Sequence, residues 1–543
     1  MDSDILRSVQ SAETIPALLL AAAERDPDGV WLRTDDGTAT FAATAAQVAR
    51  LAQRLQDTGV RRGDLVVVTT RTTPPYLLCW LALAALGAVT VPTDPAGTAG
   101  ELAGLVGQVG PWLLITDQAL LPLVEVADVV DRTELGIASI DDLVGDWRAD
   151  DATDAPPLRS DAGPDDLAVL IPTSGTTGRS KLVMQTHRAY AMAGEGFPYW
   201  MELTAADRLM TSLPLFHINA PAYSVLGSLA CGAGLVLLPR FSASGFLDSA
   251  RRYGATEFNA IGAMLEILMR QPPWPDDAET DLRLCYTGPS PTKEWQEAFE
   301  QRFGLRVVCG YAMSESPYGL IWRHGTRPFG TLGSVRQHPT LGVVNEARVV
   351  DEDGTDLGEG ETGELLLRNP VVTPGYWGMP EETAAAIVEG WLHTGDLVTV
   401  NADETYTFVA RQKEVLRRRG QNLSPAEVED AILTHPDVVE AAVVAVPSEL
   451  TEDEIKAYVV AAPGRELDFA DLRDWTAQRL SAFKVPRFWQ AVDALPRTPT
   501  SRVAKHRLPA GHPPEEYDAE SVDTSAAEIP SDNQPDNLTE DRP

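Results

Sequence analysis

The run "IPTSGTTGRSKLVMQTHR" (residues 171–188) follows the apolar stretch "LAVLI" and combines small hydroxyl residues, Gly175, Gly178 and Lys181. Glycines let a backbone approach an anion, hydroxyl and backbone N–H groups donate to phosphate oxygens, and a lysine adds charge without a fixed fork geometry. The full string suits the phosphates of a nucleotide better than an exposed turn. A Walker A loop needs four residues between its glycines and a Gly-Lys-Ser/Thr ending, so the spacing Gly175, Gly178, Lys181 excludes that motif. Far downstream, "PTSRVAK" (499–505) sets Arg502 and Lys505 in a polar, turn-forming stretch. Either one holds a reacting anion, or both are solvated cations.

Such groups need a rigid body behind them. Residues 45–57, "AAQVARLAQRLQD", put Val48, Leu51, Ala52 and Leu55 on one helical stripe, and "RRGDLVVVTT" then turns into a short apolar strand. "PYLLCWLALAALGAVTVPTDP" repeats the pattern, with a buried helix ending near Gly87 and a strand ending near Pro92. Helix and buried strand alternate again at "PWLLIT", "AVLIPT", "GLVLLP" and "FNAIGAMLEILM", the rhythm of an α/β fold with layered sheets. The acidic, Pro- and Ala-rich run from Asp142 to Asp166 reads as a surface connection. From about Arg336 the texture becomes short strands and Gly-Asp turns, which predicts a β-rich subdomain over about 336–410. The expected organisation is a large N-terminal domain over 1–410 and a small α+β domain over 411–510. An acidic tail over 511–543 has too few apolar residues to offset its ordering entropy.

The bulk numbers narrow the function. With 543 residues, 44% of them hydrophobic, the chain can bury a large core and a smaller second one. Lys and Arg total 44 against 79 Asp and Glu, a net charge of −35, which argues against a nucleic-acid backbone as partner. Cys79, Cys231, Cys285 and Cys309 lie far apart without CxxC or His-rich spacing, so zinc and redox motifs have no support and buried reduced thiols are expected. "MDSDILRSVQ" lacks the regions of a signal peptide, and no window reaches about 18 consecutive apolar residues. A cytoplasmic protein without a membrane span is the expectation.

The phosphate-loop string resembles that of the adenylate-forming superfamily, which includes acyl- and aryl-CoA ligases, firefly luciferase and peptide-synthetase adenylation domains. Further matches follow in family order: "PLFHINA" (214–220), "YTGPSP" (286–291), "GYAMSES" (310–316), "GELLLRNPVVTPGYW" (363–377), "WLHTGDL" (391–397), "RQKEVLRRRGQNLSPAEVE" (411–429) and "FKVP" (483–486). The wording of "PLFHINA", "FNAIGAML" and "PRTPT" is most similar to crotonobetaine/carnitine-type CoA ligases. The resemblance implies an ATP-dependent ligase that joins an acid to AMP with loss of pyrophosphate and passes it to a nucleophile, with CoA first among the candidates.

The same resemblance assigns roles. Thr173, Ser174, Gly175, Thr176, Thr177, Gly178 and Lys181 would line the β- and γ-phosphate path. Thr287, Gly288 and Pro289 would wall the adenine, and Gly310, Tyr311, Ala312, Met313 and Ser314 would flank it, with Tyr311 stacking on the ring. Glu315, with Thr177, would hold Mg²⁺, Ser314 standing where a Thr is usual. Asp396 would accept from the ribose hydroxyls, and Arg411 would support ribose or phosphate. His217 would gate the acid pocket, to which Asn259, Gly262 and Met313 would give shape, and Glu414 would be the hinge about which the small domain rotates.

One catalytic element departs from pattern. The family places a lysine in a string like P-x-T-x-x-G-K, and "PRTPTSRVAK" has Ser501 at the glycine and Arg502 at the lysine. Arg502 replaces that lysine, or Lys505 reaches the site through a shift of about 10 Å of extended chain. The third reading is that the site serves a different acid. In that form the enzyme is an ATP-dependent diazotase activating nitrite for attack by an aromatic amine, as in a minority of relatives. A catalytically silent nucleotide binder is the remaining class, and a separate carrier protein is an alternative acceptor.

Overall fold

The computed structural model describes residues 13–148, 155–173, 181–288, 290–412, 416–418, 421–447, 453–497, 503–509 and 516–519. It divides into two compact units, one running to Phe408 and the other beginning at Val409.

In the larger unit, sequence patterns translate directly into elements. Helix Phe41–Asp57 starts where the Thr40 side chain accepts from Ala43 N, and helix Pro74–Leu86 starts under Thr73 and stops at Gly87, whose φ of 69° suits a residue without Cβ. Nearly every residue of Pro74–Leu86 is buried, as its unbroken apolar run requires. The strands Leu65–Thr69, Val89–Pro92, Leu113–Thr116 and Leu167–Thr173 form a parallel sheet, joined by Ile137–Ser139 at one edge and the antiparallel Lys181–Thr186 at the other. A nine-stranded sheet has Leu284–Thr287, Glu257–Asn259, Arg208–Thr211 and Gly234–Leu237 at its parallel centre, with antiparallel pairs at both edges. The largest core lies around helix His187–Met201, and Trp31, fully enclosed, donates to Ser228 Oγ at 2.9 Å. All four cysteines are free and buried, and burial pushes the Cys79 and Cys231 thiols up to about 12.

A five-stranded sheet follows, built from Glu346–Val350, Thr362–Arg368, Ile387–Val388, Trp391–Val400 and Tyr406–Arg411. It begins ten residues later than the change of texture at Arg336. The intervening chain packs back on the nine-stranded sheet instead: Arg336 N donates to Gly319 O at 3.0 Å, and Asn345 Nδ2 to the same oxygen at 2.9 Å.

In the smaller unit, strands Val438–Pro447, Asp453–Ala461 and Phe488–Ala491 pack against helices Pro425–Leu433 and Phe469–Ala477 around Val428, Ile432, Ile455, Leu472 and Trp489. The expectation that everything from Gly511 onward stays unstructured needs correcting at Glu516–Ala519. Tyr517–Asp518 forms the sheet's fourth strand, Glu516 meets the enclosed Lys456 at 2.6 Å, and Asp518 takes both Arg487 nitrogens at 2.9 Å. Average composition hides such a piece, because two carboxylates placed opposite two sheet cations act by position. Among the described residues no helix is long and apolar enough to cross a membrane.

Candidate active site

Ligands of parallel sheets gather at the carboxyl ends of the strands. Glu257–Asn259, Leu284–Thr287 and Arg306–Met313 run parallel and adjacent, so Asn259, Thr287 and the run Gly310–Ser314 emerge at one edge of the sheet. A Cβ on Gly288 would stand 2.3 Å from Gly310 O, a separation no side chain tolerates, so two expected wall residues meet backbone to backbone. Thr287 Oγ1 is buried and has no hydrogen-bond partner among the described residues. Pro289 lies outside the described residues.

The glycine-rich string connects two antiparallel strands, with Thr173 opposite Lys181 and its hydroxyl donating to Lys181 O at 3.2 Å. Ser174, Gly175, Thr176, Thr177 and Gly178 lie outside the described residues, while both anchors are placed. Lys181 Nζ stands 4.4 Å from the centre of the Tyr376 ring, and the Tyr376 hydroxyl donates to Glu315 Oε1 at 3.0 Å. Burial, then the charge of Glu315, raises that hydroxyl above the ordinary phenol range, which keeps it a donor. Gly375 O accepts from Met184 N and Leu182 O from Trp377 N, so the tyrosine rides on the lysine's own strand. Thr373 N donates to Glu315 O at 2.7 Å, and Gln185 Nε2 to Ser314 O. A cation, an aromatic face and a carboxylate thus stand in one row. Tyr376 had no role in the sequence reading, although it is the tyrosine of the quoted "GYW".

Tyr311 and Asp396 meet directly, hydroxyl to Oδ2 at 2.6 Å, and Met313 Sδ lies 3.7 Å from the same hydroxyl. Asp396 is enclosed and its N–H donates to Thr394 Oγ1. Ala312 and Ser314 are half-buried beside this pair. Among the residues expected to shape the acid pocket, the rings of Phe216 and His217 are 4.4 Å apart. Asn259, fully buried, donates through Nδ2 to Asn219 Oδ1 at 2.7 Å, while its own Oδ1 has no partner among the described residues. A side chain on Gly262 would meet nothing within 4 Å, which marks open space. Asn219 was missed, though it sits in "PLFHINA" two residues after His217.

In the smaller unit Arg411 closes the strand Tyr406–Arg411. Glu414 and Arg502 lie outside the described residues. Lys505 is engaged with Glu429, 2.8 Å away. Among the described residues no group of three or more His, Cys, Asp or Glu could hold a metal. Glu315, a single carboxylate, fits Mg²⁺, which keeps waters and takes further ligands from phosphates.

The model of the AMP-binding enzyme family matches residues 19–377, and that of the AMP-binding enzyme C-terminal domain matches 427–502. The crotonobetaine/carnitine–CoA ligase of Salmonella paratyphi C (strain RKS4594) is 31% identical over 485 residues, 86% of this chain and 92% of the relative. The ATP-bound MatB structure from Rhodopseudomonas palustris superposes with a TM-score of 0.81 at 26% identity, over 91% of this chain and 98% of that one. The anthranilate CoA ligase AuaEII, solved with anthranoyl-AMP, shares the fold with a TM-score of 0.81 at 23% identity, over 93% and 98% of the two chains. With a family model over most of its length and a relative matched nearly end to end, this chain belongs to the AMP-binding enzyme family and is one of its AMP-forming ligases.

Proposed function

We propose that the enzyme condenses a small-molecule carboxylic acid with ATP to an acid–AMP anhydride and then transfers the acyl group to CoA. The observation that carries this is the row Lys181, Tyr376, Glu315, beside the Tyr311–Asp396 pair. An acid oxygen attacks the α-phosphorus, the bond to the β-phosphate oxygen breaks, and pyrophosphate leaves. The CoA sulfur, having lost its proton, then attacks the acyl carbon and AMP departs.

Both reactants of the first step are anions, so positive charge must sit where charge concentrates in the transition state. Lys181 and the hydroxyls and amides of Thr173–Gly178 receive the departing pyrophosphate. Glu315, with Thr177, would hold Mg²⁺, which when bound would neutralise phosphate charge. Asp396 accepts from the ribose, Tyr311 stacks on adenine against the wall Thr287–Pro289 and Gly310, and Arg411 supports ribose or phosphate. His217 gates the acid's entry to the α-phosphate, Arg502 supplies the cation between the two anions, and Glu414 is the hinge of the domain rotation between steps. The reaction takes place in the cytoplasm.

Similarity to a relative named as a CoA ligase favours thioester formation over nitrite coupling or a silent nucleotide binder. The test is pyrophosphate release over aliphatic acids, aryl acids and nitrite, each with and without CoA or an arylamine, with products identified by mass. Acyl-CoA formed from ATP and a carboxylic acid is the expected result. Turnover with nitrite and an arylamine alone would replace this reading.

A further inference from the structure

Asn219 and Asn259 meet through a single hydrogen bond, Asn259 Nδ2 donating to Asn219 Oδ1 at 2.7 Å. Two primary amides set side by side can close two such bonds, since each carries an acceptor oxygen and a donor nitrogen. Here the second stays open among the described residues: Asn259 Oδ1 has no donor, and Asn219 Nδ2 has no acceptor. Turning both amides over leaves the same opening, an acceptor on one residue and a donor on the other.

Asn259 ends the strand Glu257–Asn259 and is fully buried, as are Phe258 and Ala260 on either side of it. Asn219 is only half-buried, like Phe216–Ile218 before it and Ile261–Ala263 after the strand, and a side chain on Gly262 would meet nothing within 4 Å. The pair therefore runs from the core outward at the carboxyl ends of the strands, where ligands of parallel sheets collect. Asn219 also stands at the N-cap of the π-helix Ala220–Val225, yet its side chain caps nothing. An asparagine there ordinarily bonds its own helix, so this one is given over to Asn259 instead. A buried oxygen without a donor costs free energy, and a ligand that brings the donor recovers it.

We propose that this amide pair reads a hydroxyl group on the acid, so that the enzyme activates a hydroxy-substituted carboxylic acid. This deepens the ligase reading above and rests on it. The hydroxyl donates to Asn259 Oδ1 and accepts from Asn219 Nδ2, using both open positions with one atom. A methyl group uses neither, a carboxylate has no proton to donate, and an ammonium has no lone pair for Asn219. Asn219 and Asn259 are specificity-determining residues and take no part in proton or phosphoryl transfer.

The test measures binding of sulfamoyladenosine mimics of the acyl-adenylate to the full chain by calorimetry, in matched sets: butanoyl and benzoyl parents, each against its singly hydroxylated isomers. In wild type the best hydroxylated probe should bind roughly tenfold or more tightly than its parent. Asn259→Leu keeps the volume without the polar atoms and should bring that ratio close to one, and Asn219→Leu should lower it. If Asn259→Leu does not fold, the double variant Asn219→Leu with Asn259→Leu, which leaves no amide unpaired, takes its place. Amides with a merely structural role would weaken parent and hydroxylated probes alike, and a ratio that survives in Asn259→Leu or in the double variant overturns the proposal. Parents that bind wild type as tightly as every hydroxylated isomer, as when water alone fills the opening, overturn it too and spare the ligase reading. If no probe binds, parents included, the ligase reading falls with it.

Discussion

The Tyr311 hydroxyl donates to Asp396 Oδ2 at 2.6 Å, joining the strand Arg306–Met313 of the nine-stranded sheet to the five-stranded sheet. A carboxylate oriented this way keeps acceptor capacity for a second donor, and a ribose hydroxyl is the proposed one. Asp396→Asn should raise KM for ATP by roughly 10- to 100-fold, the scale of a lost hydrogen bond to a charged group. Tyr311→Phe keeps the ring and loses only the tether, so its effect should be about fivefold. ATP titrations of pyrophosphate release measure both, and an unchanged KM in Asp396→Asn would remove that residue from the nucleotide site.

Tyr376 lets two functions be separated at one position. Tyr376→Phe preserves the face under Lys181 but deletes the bond to Glu315. Its main consequence should be a change in the Mg²⁺ concentration giving half-maximal rate, with kcat lower by about 3- to 10-fold. Tyr376→Ala loses the cation's ring face as well and should fall further. If Mg²⁺ dependence is identical in wild type and Tyr376→Phe, Glu315 is not the metal's carboxylate.

How much of this could be read beforehand depends on the range of each interaction. Helices and strands such as Phe41–Asp57 and Leu167–Thr173 follow from local pattern, because caps and apolar periodicity act within a few residues. The sequence placed Asn259 and Gly262 near a pocket as an expectation. The bond from Asn259 to Asn219 was not legible, since it joins segments forty residues apart. Arg336 looked like the first residue of a β-rich stretch, and its enclosure depends on Trp200, Tyr223 and Tyr286 arriving from three other elements. The strand Tyr517–Asp518 escaped for the same reason, as its partners Lys456 and Arg487 are distant in sequence.

That strand gives a stability prediction. Lys456 and Glu516 are both buried, so Glu516→Ala leaves an uncompensated cation and should cost about 3–5 kcal/mol. The double variant Lys456→Met with Glu516→Leu removes both charges and should recover most of the loss. Denaturant unfolding of the single and double variants decides it. Equal losses in both would show that the ion pair contributes nothing beyond packing.

Glu257 makes stability depend on pH. It is fully buried, and neither carboxyl oxygen has a hydrogen-bond partner among the described residues. Burial, then the charge of Asp207, holds its pKa well above the usual glutamate range, with Arg283 opposing. An acid raised in the folded state contributes its full stability below the unfolded pKa of about 4.3 and loses it as pH climbs toward the folded value. Glu257→Gln has no such proton to lose. Its melting temperature should draw ahead of wild type as pH rises from about 4 to 8, and a constant difference would place Glu257 in a more polar setting.

The two cations of "PTSRVAK" should separate by the kind of damage their removal does. Lys505 is committed to Glu429, whose Oε1 also accepts from Val443 N at 2.6 Å. Lys505→Ala should therefore lower the melting temperature and leave the chemical step nearly intact. If Arg502 is the cation between acid and α-phosphate, Arg502→Ala should lose roughly 10²- to 10³-fold in adenylation, the scale for removing one oxyanion donor. Its transfer of a preformed acyl-adenylate to CoA should fall much less, because that step adds no new charge at phosphorus. Single-turnover assays started from ATP and acid, or from synthetic acyl-adenylate, resolve the two steps. Adenylation lost in Lys505→Ala and kept in Arg502→Ala would reverse the assignment and require the Glu429 ion pair to open during catalysis.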